Sequence, residues 1–104
     1  MAKREVIWTK TADLQFVGIL EYWLNRNKSN LYSKKLLKLV SKKTAQIAKN
    51  PYVFKSTEFK DVRVAPMGNF SIYYKITNQH IIISAFWDNR QDPKHLLRLL
   101  ENKT

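Results

Sequence analysis

The chain has 104 residues, a mass of 12.3 kDa and no cysteine. This length is typical of one domain, so we expect a single domain over residues 1–104. Apolar residues make up 44% of the chain, which is enough for a hydrophobic core and excludes global disorder. Nineteen lysines and arginines against eight acidic residues leave a formal net charge of +11. Because such a charge repels itself, it predicts a polyanion or an acidic protein as partner.

Several classes of function are excluded by what the sequence lacks. Without cysteine there is no disulfide framework, thiol nucleophile or zinc–thiolate site, and the two histidines lie too far apart for metal-ligand spacing. Gly18 and Gly68 are isolated, so no glycine-rich loop can hold a phosphate. We therefore expect no cofactor and no metal. The longest apolar stretch, 81–87, is far shorter than the ~20 residues that span a bilayer, and the first ten residues contain no signal-peptide run. We expect a soluble cytoplasmic protein without a membrane partner.

The first half of the chain predicts a strand followed by a helical hairpin. Residues Glu5–Thr9 are β-branched and aromatic, which is typical of a short strand. Thr9 or Thr11 can cap a first helix, and Ser29 can cap a second helix over Leu31–Lys49. The first helix has apolar residues at spacings of three and four, namely Phe16, Ile19, Leu20 and Trp23.

The second predicted helix has lysines along the side opposite its apolar residues. They recur at spacings of three, four and seven: Lys35, Lys38, Lys42 and Lys49. No acidic residue occurs between Glu21 and Glu58, where nine of the nineteen cations lie. Two interpretations stay open: an ordinary solvated face, or a contact with nucleic acid, another target or an acidic partner protein. Lys75, on a later strand, is a further candidate for the same contact.

The second half predicts strands followed by a short helix. Strands are expected over Asp61–Ala65, Phe70–Thr77 and His80–Trp87, and a helix from Pro93 to about Leu100. The loop before these strands carries three aromatic residues expected under the sheet, Tyr52, Phe54 and Phe59. The three tryptophans are expected in the core, namely Trp8, Trp23 and Trp87. The order β-α-α-β-β-β-α predicts an α+β fold, with the helical hairpin packed on one face of an antiparallel sheet.

This element order resembles that of the RelE/ParE superfamily, the toxins of bacterial type II toxin–antitoxin systems. The segments 68–76 and 86–93, which include Arg90-Gln91-Asp92-Pro93, strengthen the resemblance. It implies a growth-inhibiting toxin of a plasmid-stabilisation system, with an acidic cognate antitoxin as partner. The target stays open, because this fold hosts at least two activities.

One branch, similar to RelE, cleaves mRNA on the ribosome without a metal. Attack by a ribose 2′-OH needs a base, an acid and cations around the phosphate. The resemblance implies these groups on the strands and after them, at Lys60, Arg63 and Arg90. Tyr73 can substitute as a stacking or proton-transfer group. Ser71 stands where RelE-type enzymes carry an arginine, and no tyrosine follows Tyr74.

The other branch, similar to ParE, poisons DNA gyrase by binding, and the incomplete nuclease set favours this branch. Purely structural roles are equally open for two residues. Arg63 can pair with a carboxylate on a neighbouring strand, and Arg90 can pair with Asp88 to fix the end of a strand. Composition also allows a third interpretation, a non-toxic basic nucleic-acid-binding domain.

Overall fold

Helices and strands extend through residues 4–101, the part that the computed structural model describes, with the backbone alone at positions 93, 99 and 101. The helices are α1 (Lys10–Asn27), α2 (Leu31–Lys49) and α3 (Pro93–Glu101). The strands are β1 (Glu5–Trp8), β2 (Lys55–Ser56), β3 (Arg63–Met67), β4 (Phe70–Ile76) and β5 (His80–Asp88). They form one sheet in the order β1-β5-β4-β3-β2.

The helical hairpin follows the sequence signals closely. The Thr9 Oγ1 accepts a hydrogen bond from the Ala12 N–H at 3.1 Å, so Thr9 caps α1 as predicted. The helix ends at Lys28, which adopts the left-handed conformation with φ 50°. The predicted limits of α2 are correct, although Asn30 occupies its N-cap position. The Ser29 Oγ still accepts from the first N–H of α2, at 3.3 Å.

The predicted α+β class is confirmed, but the sheet is mixed and not wholly antiparallel. β1 pairs in parallel with β5, and the other neighbouring strands pair antiparallel. The long α1–α2 hairpin separates β1 from the other strands and can return the chain in either direction. Local patterning therefore does not determine which strand β1 joins, or in which orientation.

The strands β2 and β3 also differ from the prediction. β3 begins two residues later than expected and includes Pro66. β2, which is too short to give a pattern, pairs only with Arg63 and Val64. On the side of β3 away from β4, no strand of residues 4–101 therefore lies beside Pro66. Because no strand pairs there, the lack of an N–H on Pro66 costs the sheet no hydrogen bond.

β5 contains a bulge, because its pairing with β4 skips Ser84. The extra residue reverses the alternation of side chains along the strand. As a result Ile83 and Phe86 both face the helical hairpin, while Ala85 and Trp87 face the opposite side. The bulge thus decides that Phe86 joins the hairpin-side face and Trp87 the opposite face.

Two cores cover the two faces of the sheet. The hairpin-side core lies under α1 and α2, and its fully buried large side chains are Leu36, Ile47, Ile72, Tyr74, Ile81, Ile83 and Phe86. The α3-side core consists of Val62, Ala85, Trp87, Leu96 and Leu100. Because both faces are covered, Ser71 of β4 is buried although it lies on the face away from the helical hairpin.

The aromatic loop residues and tryptophans divide between core and surface. Phe54 and Phe59 pack against the two cores as predicted. The prediction for Tyr52 is wrong: its side chain is 63% exposed, because it lies at the surface beneath the guanidinium of Arg63. Trp8 stacks on the hairpin-side core as expected, with its ring 5.4 Å from that of Phe16.

Candidate partner-binding groove

An open groove of about 1410 Å³ lies between α1, the end of β5 and the start of α3. We name it the α1–β5 groove. Its α1 wall carries Leu14, Gly18 and Tyr22. The side chains of Leu14 and Tyr22 are 60% and 54% exposed, which is unusual for large apolar residues on an amphipathic helix. Apolar side chains lining a groove are typical of sites that receive a partner.

The floor of the groove is an unpaired edge of β5. β1 reaches only to Ile83 in its pairing with β5, so the last residues of β5 have no strand on that side. In an antiparallel pair every second residue turns its main chain away from the neighbouring strand. Phe86 is such a residue: its main-chain N–H points away from β4 and donates to the Oε1 of Gln15 on α1 at 2.9 Å. A side chain, and not a strand, therefore satisfies this edge.

One end of the groove is formed by a cluster of aromatic and arginine side chains around Trp23. The guanidinium carbons of Arg26 and Arg90 lie 5.8 and 5.6 Å from the centre of the Trp23 ring. Tyr22 meets this ring edge-on at 5.3 Å, and Tyr32 of α2, which does not line the groove, lies 5.0 Å from it. Arginines over an aromatic face keep their charge and their donors, so the cluster can receive a carboxylate from a partner.

The Asp88–Arg90 ion pair fixes the chain where β5 ends. The Arg90 Nε and Nη2 donate to the two Asp88 carboxylate oxygens at 2.9 and 2.8 Å, and the Arg90 N–H donates at 3.0 Å. These hydrogen bonds hold the pKa of the Asp88 carboxyl below its usual range and raise the pKa of Arg90. The structural interpretation of this pair is therefore correct, and the same arginine also lines the groove.

Arg63 lies on the hairpin side of the sheet, where it holds the segment that follows α2. Its Nη1 donates to the Phe54 carbonyl at 2.6 Å and lies 3.5 Å from the Tyr52 carbonyl. On the adjacent strand the Tyr74 hydroxyl donates to the Pro51 carbonyl at 2.7 Å, and burial raises the pKa of Tyr74 to about 12. The partners of Arg63 are thus carbonyl groups and not the carboxylate that the sequence allowed.

The other predicted catalytic residues do not share a site with Arg63. Tyr73 lies on the opposite face of the sheet, against the α3-side core. Burial raises the pKa of the Tyr73 hydroxyl, and a hydrogen bond with Ser71 opposes that shift. Lys60 is exposed in the turn before β3.

Arg90 is separated from Arg63 by much of the length of β4. Arg63 pairs with Tyr74, whereas Asp88, next to Arg90, pairs with Phe70. The two β4 positions are four residues apart, or about 13 Å along a strand. The structure therefore does not bring Lys60, Arg63, Tyr73 and Arg90 together.

The predicted binding lysines lie outside the groove. Lys75 is half-buried on the same side of β4 as Tyr73. The four α2 lysines that the sequence predicted for binding are all exposed: Lys35, Lys38, Lys42 and Lys49. Within residues 4–101 no groove-lining residue belongs to α2.

Among the groove residues that the sequence analysis missed, three show why. Trp23 was expected in the core, but it is half-buried and lines the groove, because its ring packs among Tyr32, Arg26 and Arg90 and not in either core. Gln15 gave no signal, since its role depends on the bulged edge of β5. Gly18 did give one: a glycine inside a helix costs ~1 kcal/mol relative to alanine, which marks the position as unusual.

Neither a metal centre nor a membrane span is found in the described part of the chain. Residues 4–101 contain no group of three or more histidine, aspartate or glutamate side chains that could hold a metal ion. No helix in the same range is long and apolar enough to cross a bilayer.

Comparison with known proteins identifies the family. The family of the ParE toxin of the type II toxin–antitoxin system parDE matches residues 6–93. Among solved structures, a chain of the chromosomal ParDE system from P. aeruginosa matches with a TM-score of 0.69 and 15% identity. That match covers 81% of this chain and 94% of the other. No curated protein sequence matches.

The family match, together with the sheet order and the structural match, makes the chain a toxin of the RelE/ParE superfamily. More particularly, the chain belongs to the ParE toxin family of type II toxin–antitoxin systems. Membership implies an antitoxin partner, and it favours a toxin over the non-toxic basic domain that composition also allowed.

Proposed function

We propose that this toxin inhibits DNA gyrase by binding it and does not cleave mRNA. The observation that carries the proposal is the separation of the candidate catalytic groups, with Arg63 and Tyr73 on opposite faces of the sheet. Cleavage by a 2′-OH needs a base, an acid and cations around one phosphate. Side chains on two faces of a covered sheet cannot surround the same phosphate.

The state of each group supports a binding toxin. The raised pKa of Tyr73 keeps its phenol protonated at neutral pH, which makes it a poor base. Arg63 already donates to the main chain of the segment after α2. Family membership supports gyrase as the target, and a target of this kind places the action of the toxin in the cytoplasm.

We further propose that the α1–β5 groove holds a segment of an acidic antitoxin. The groove combines exposed apolar side chains, such as Leu14 and Tyr22, with Arg26 and Arg90 around Trp23. Apolar side chains supply contact area, and arginines supply bidentate sites for carboxylates. The net charge of +11 favours an acidic partner over the whole surface.

Parallel assays of supercoiling and translation test the gyrase proposal. We expect the purified chain to inhibit supercoiling by gyrase or to trap cleaved DNA, while mRNA on translating ribosomes stays intact. The variants Lys60→Gln and Tyr73→Phe should inhibit gyrase as the wild type does. If mRNA is cut on ribosomes and supercoiling is unaffected at excess protein, the mRNA-cleaving activity replaces this proposal.

The antitoxin proposal is tested by co-purification with the product of the short acidic reading frame expected beside this gene. We expect a stable complex that Trp23→Ala weakens, with Trp8→Phe as a matched aromatic change outside the groove. A complex that is equally stable with Trp23→Ala contradicts the groove as the antitoxin site.

A further inference from the structure

The outer face of α2 carries four exposed lysines. Lys35, Lys38, Lys42 and Lys49 are exposed and lie within an arc of roughly 60° when α2 is viewed down its axis. We call this stripe the lysine face. It extends about 21 Å along the helix. The opposite side of α2 packs into the hairpin-side core through Leu36 and other apolar residues.

No acidic residue neutralises the lysine face. The sequence of α2 contains no aspartate or glutamate. In the described range 4–101, no lysine of α2 lies within ion-pair distance of a carboxylate. Lys43, which is on α2 but outside the stripe, has a partner instead: its Nζ lies 5.2 Å from the centre of the Phe54 ring. The four stripe lysines thus keep their charge directed at solvent.

We propose that the lysine face binds the phosphate backbone of duplex DNA, without sequence preference. A solvated ammonium on a flexible stem acts as a point charge that suits phosphates, which are spaced regularly along a duplex. The stripe spans about six base pairs of B-DNA at 3.4 Å each. The inference rests on the proposed function, because gyrase holds duplex DNA at its site of action.

The choice of a duplex follows from what the lysine face lacks. Proteins that bind single strands stack bases on aromatic side chains set within a basic groove. Leu31 continues the stripe at its N-terminal end and Leu39 flanks it, and neither offers an aromatic ring. Lysines act on phosphates as point charges, and contacts with phosphates carry no sequence information, so we expect no sequence preference. The stripe therefore fits phosphates and does not fit unpaired bases.

An antitoxin segment fits the lysine face less well than it fits the α1–β5 groove. A protein interface has a desolvated core in which lysine is depleted and arginine and aromatic residues are enriched. The groove has this composition around Trp23, and the lysine face has the opposite one. The two surfaces share no lining residue within 4–101, so both can be occupied at once.

Fluorescence anisotropy with a short labelled DNA duplex tests the inference on the full chain. The test variant carries Lys35→Gln, Lys38→Gln and Lys42→Gln. The matched control carries Lys10→Gln, Lys55→Gln and Lys94→Gln, which are also exposed. Both triple changes lower the formal net charge from +11 to +8. A variant with arginine at positions 35, 38 and 42 tests whether charge is sufficient. Thermal unfolding verifies that every variant is folded.

We expect the affinity of the test variant for DNA to fall about tenfold or more. The slope of log affinity against log salt concentration should become smaller in magnitude by about 2 to 3, since each phosphate contact contributes about 0.9 to it. The matched control should change little, and the arginine variant should bind as the wild type does. An equal loss in test and control variants overturns the inference, because it shows that net charge alone acts. Tighter binding to a duplex RNA of the same length overturns the choice of DNA.

The same variants separate this inference from the others. If the test variant loses antitoxin affinity and keeps DNA affinity, the lysine face belongs to the antitoxin and the inference is wrong. The anisotropy assay contains no gyrase, so a failure of the gyrase proposal appears only as unaffected supercoiling. A wild-type chain that inhibits gyrase but does not bind duplex DNA refutes the present inference and leaves the gyrase proposal intact.

Discussion

The α1–β5 groove and the lysine face of α2 are both basic, but they hold positive charge in different ways. Cations of the groove are arginines fixed by neighbours, as Arg90 is fixed by Asp88 and Trp23. Cations of the lysine face are solvated, and no residue in 4–101 forms an ion pair with them. The two surfaces thus differ in how firmly their cationic side chains are held in place, and not only in the amount of charge.

This difference indicates which kind of partner each surface suits. An arginine held by stacking and pairing loses little further freedom when it binds, so it gives a partner a defined geometry. When solvated lysines bind a polyanion, the counterions condensed on the polyanion are released, and the lysines need no fixed geometry for this. Ordered cations therefore favour a protein segment with a definite shape, and solvated cations favour a repeating phosphate backbone.

The largest expected difference between the two surfaces is in their response to salt. Four phosphate contacts give a slope near −3.6, so DNA affinity should fall about 50-fold when salt rises from about 0.1 to about 0.3 M. The antitoxin complex, held mainly by apolar contact and paired arginines, should lose far less. Titrations of both partners over this range provide the measurement. Equal salt slopes would show that the two surfaces are not distinct.

The second prediction fills the groove. A Gly18→Trp substitution places a large side chain on the α1 wall, where an added Cβ meets no atom within 4 Å, so the fold should tolerate it. We expect antitoxin affinity to fall about 30-fold or more, the effect of losing one central contact at an interface. DNA affinity should stay as in the wild type. Calorimetry with the antitoxin and anisotropy with DNA measure the two effects.

The third prediction concerns acid pH. Because hydrogen bonds from Arg90 lower the pKa of Asp88 in the folded protein, ionised Asp88 stabilises the fold above its unfolded pKa. That stability is lost as pH falls below 3.8, the ordinary value for the carboxyl, and through the lowered folded pKa. Wild type should exceed Asp88→Asn in stability at pH 5 to 7, by a margin that shrinks below about pH 4.

Chemical unfolding across this pH range measures the margin, and two controls locate its cause. In an Arg90→Gln background the pH-dependent margin should largely disappear. Lys35→Gln, on the surface without a carboxylate, should leave the pH profile unchanged. A margin that grows as the pH falls is inconsistent with this account of Asp88.

The smallest expected effect comes from Gly18→Ala. Alanine is the better helix former, and nothing within 4 Å obstructs its methyl group, so the free energy of unfolding should rise by up to about 1 kcal/mol. Thermal or urea unfolding measures this gain. A gain in stability together with weaker antitoxin binding would show that glycine is retained at this position for close approach by the partner. A loss of stability would contradict the open environment of Gly18.

Much of the fold was predictable because local patterns decide it. The limits of α2 follow from its apolar stripe and from Pro51 after its end, and the α1 cap follows from the Thr9 hydroxyl. The parallel pairing of β1 was not predictable, because it joins segments more than 70 residues apart. Likewise the Ser84 bulge leaves no periodic signal, since the surrounding run is apolar at nearly every position.

The candidate sites divide along the same line. The sequence by itself determined the lysine face, since helical spacing and the absence of acidic residues from 22 to 57 fix both its position and its charge. Only the tertiary structure decided the groove, where Gln15 and Trp23 of α1 meet the end of β5 and Arg90 after it. It also decided that Arg63 and Tyr73 lie apart. A helix repeats every few residues and reveals its own faces, whereas a groove exists only where distant segments pack.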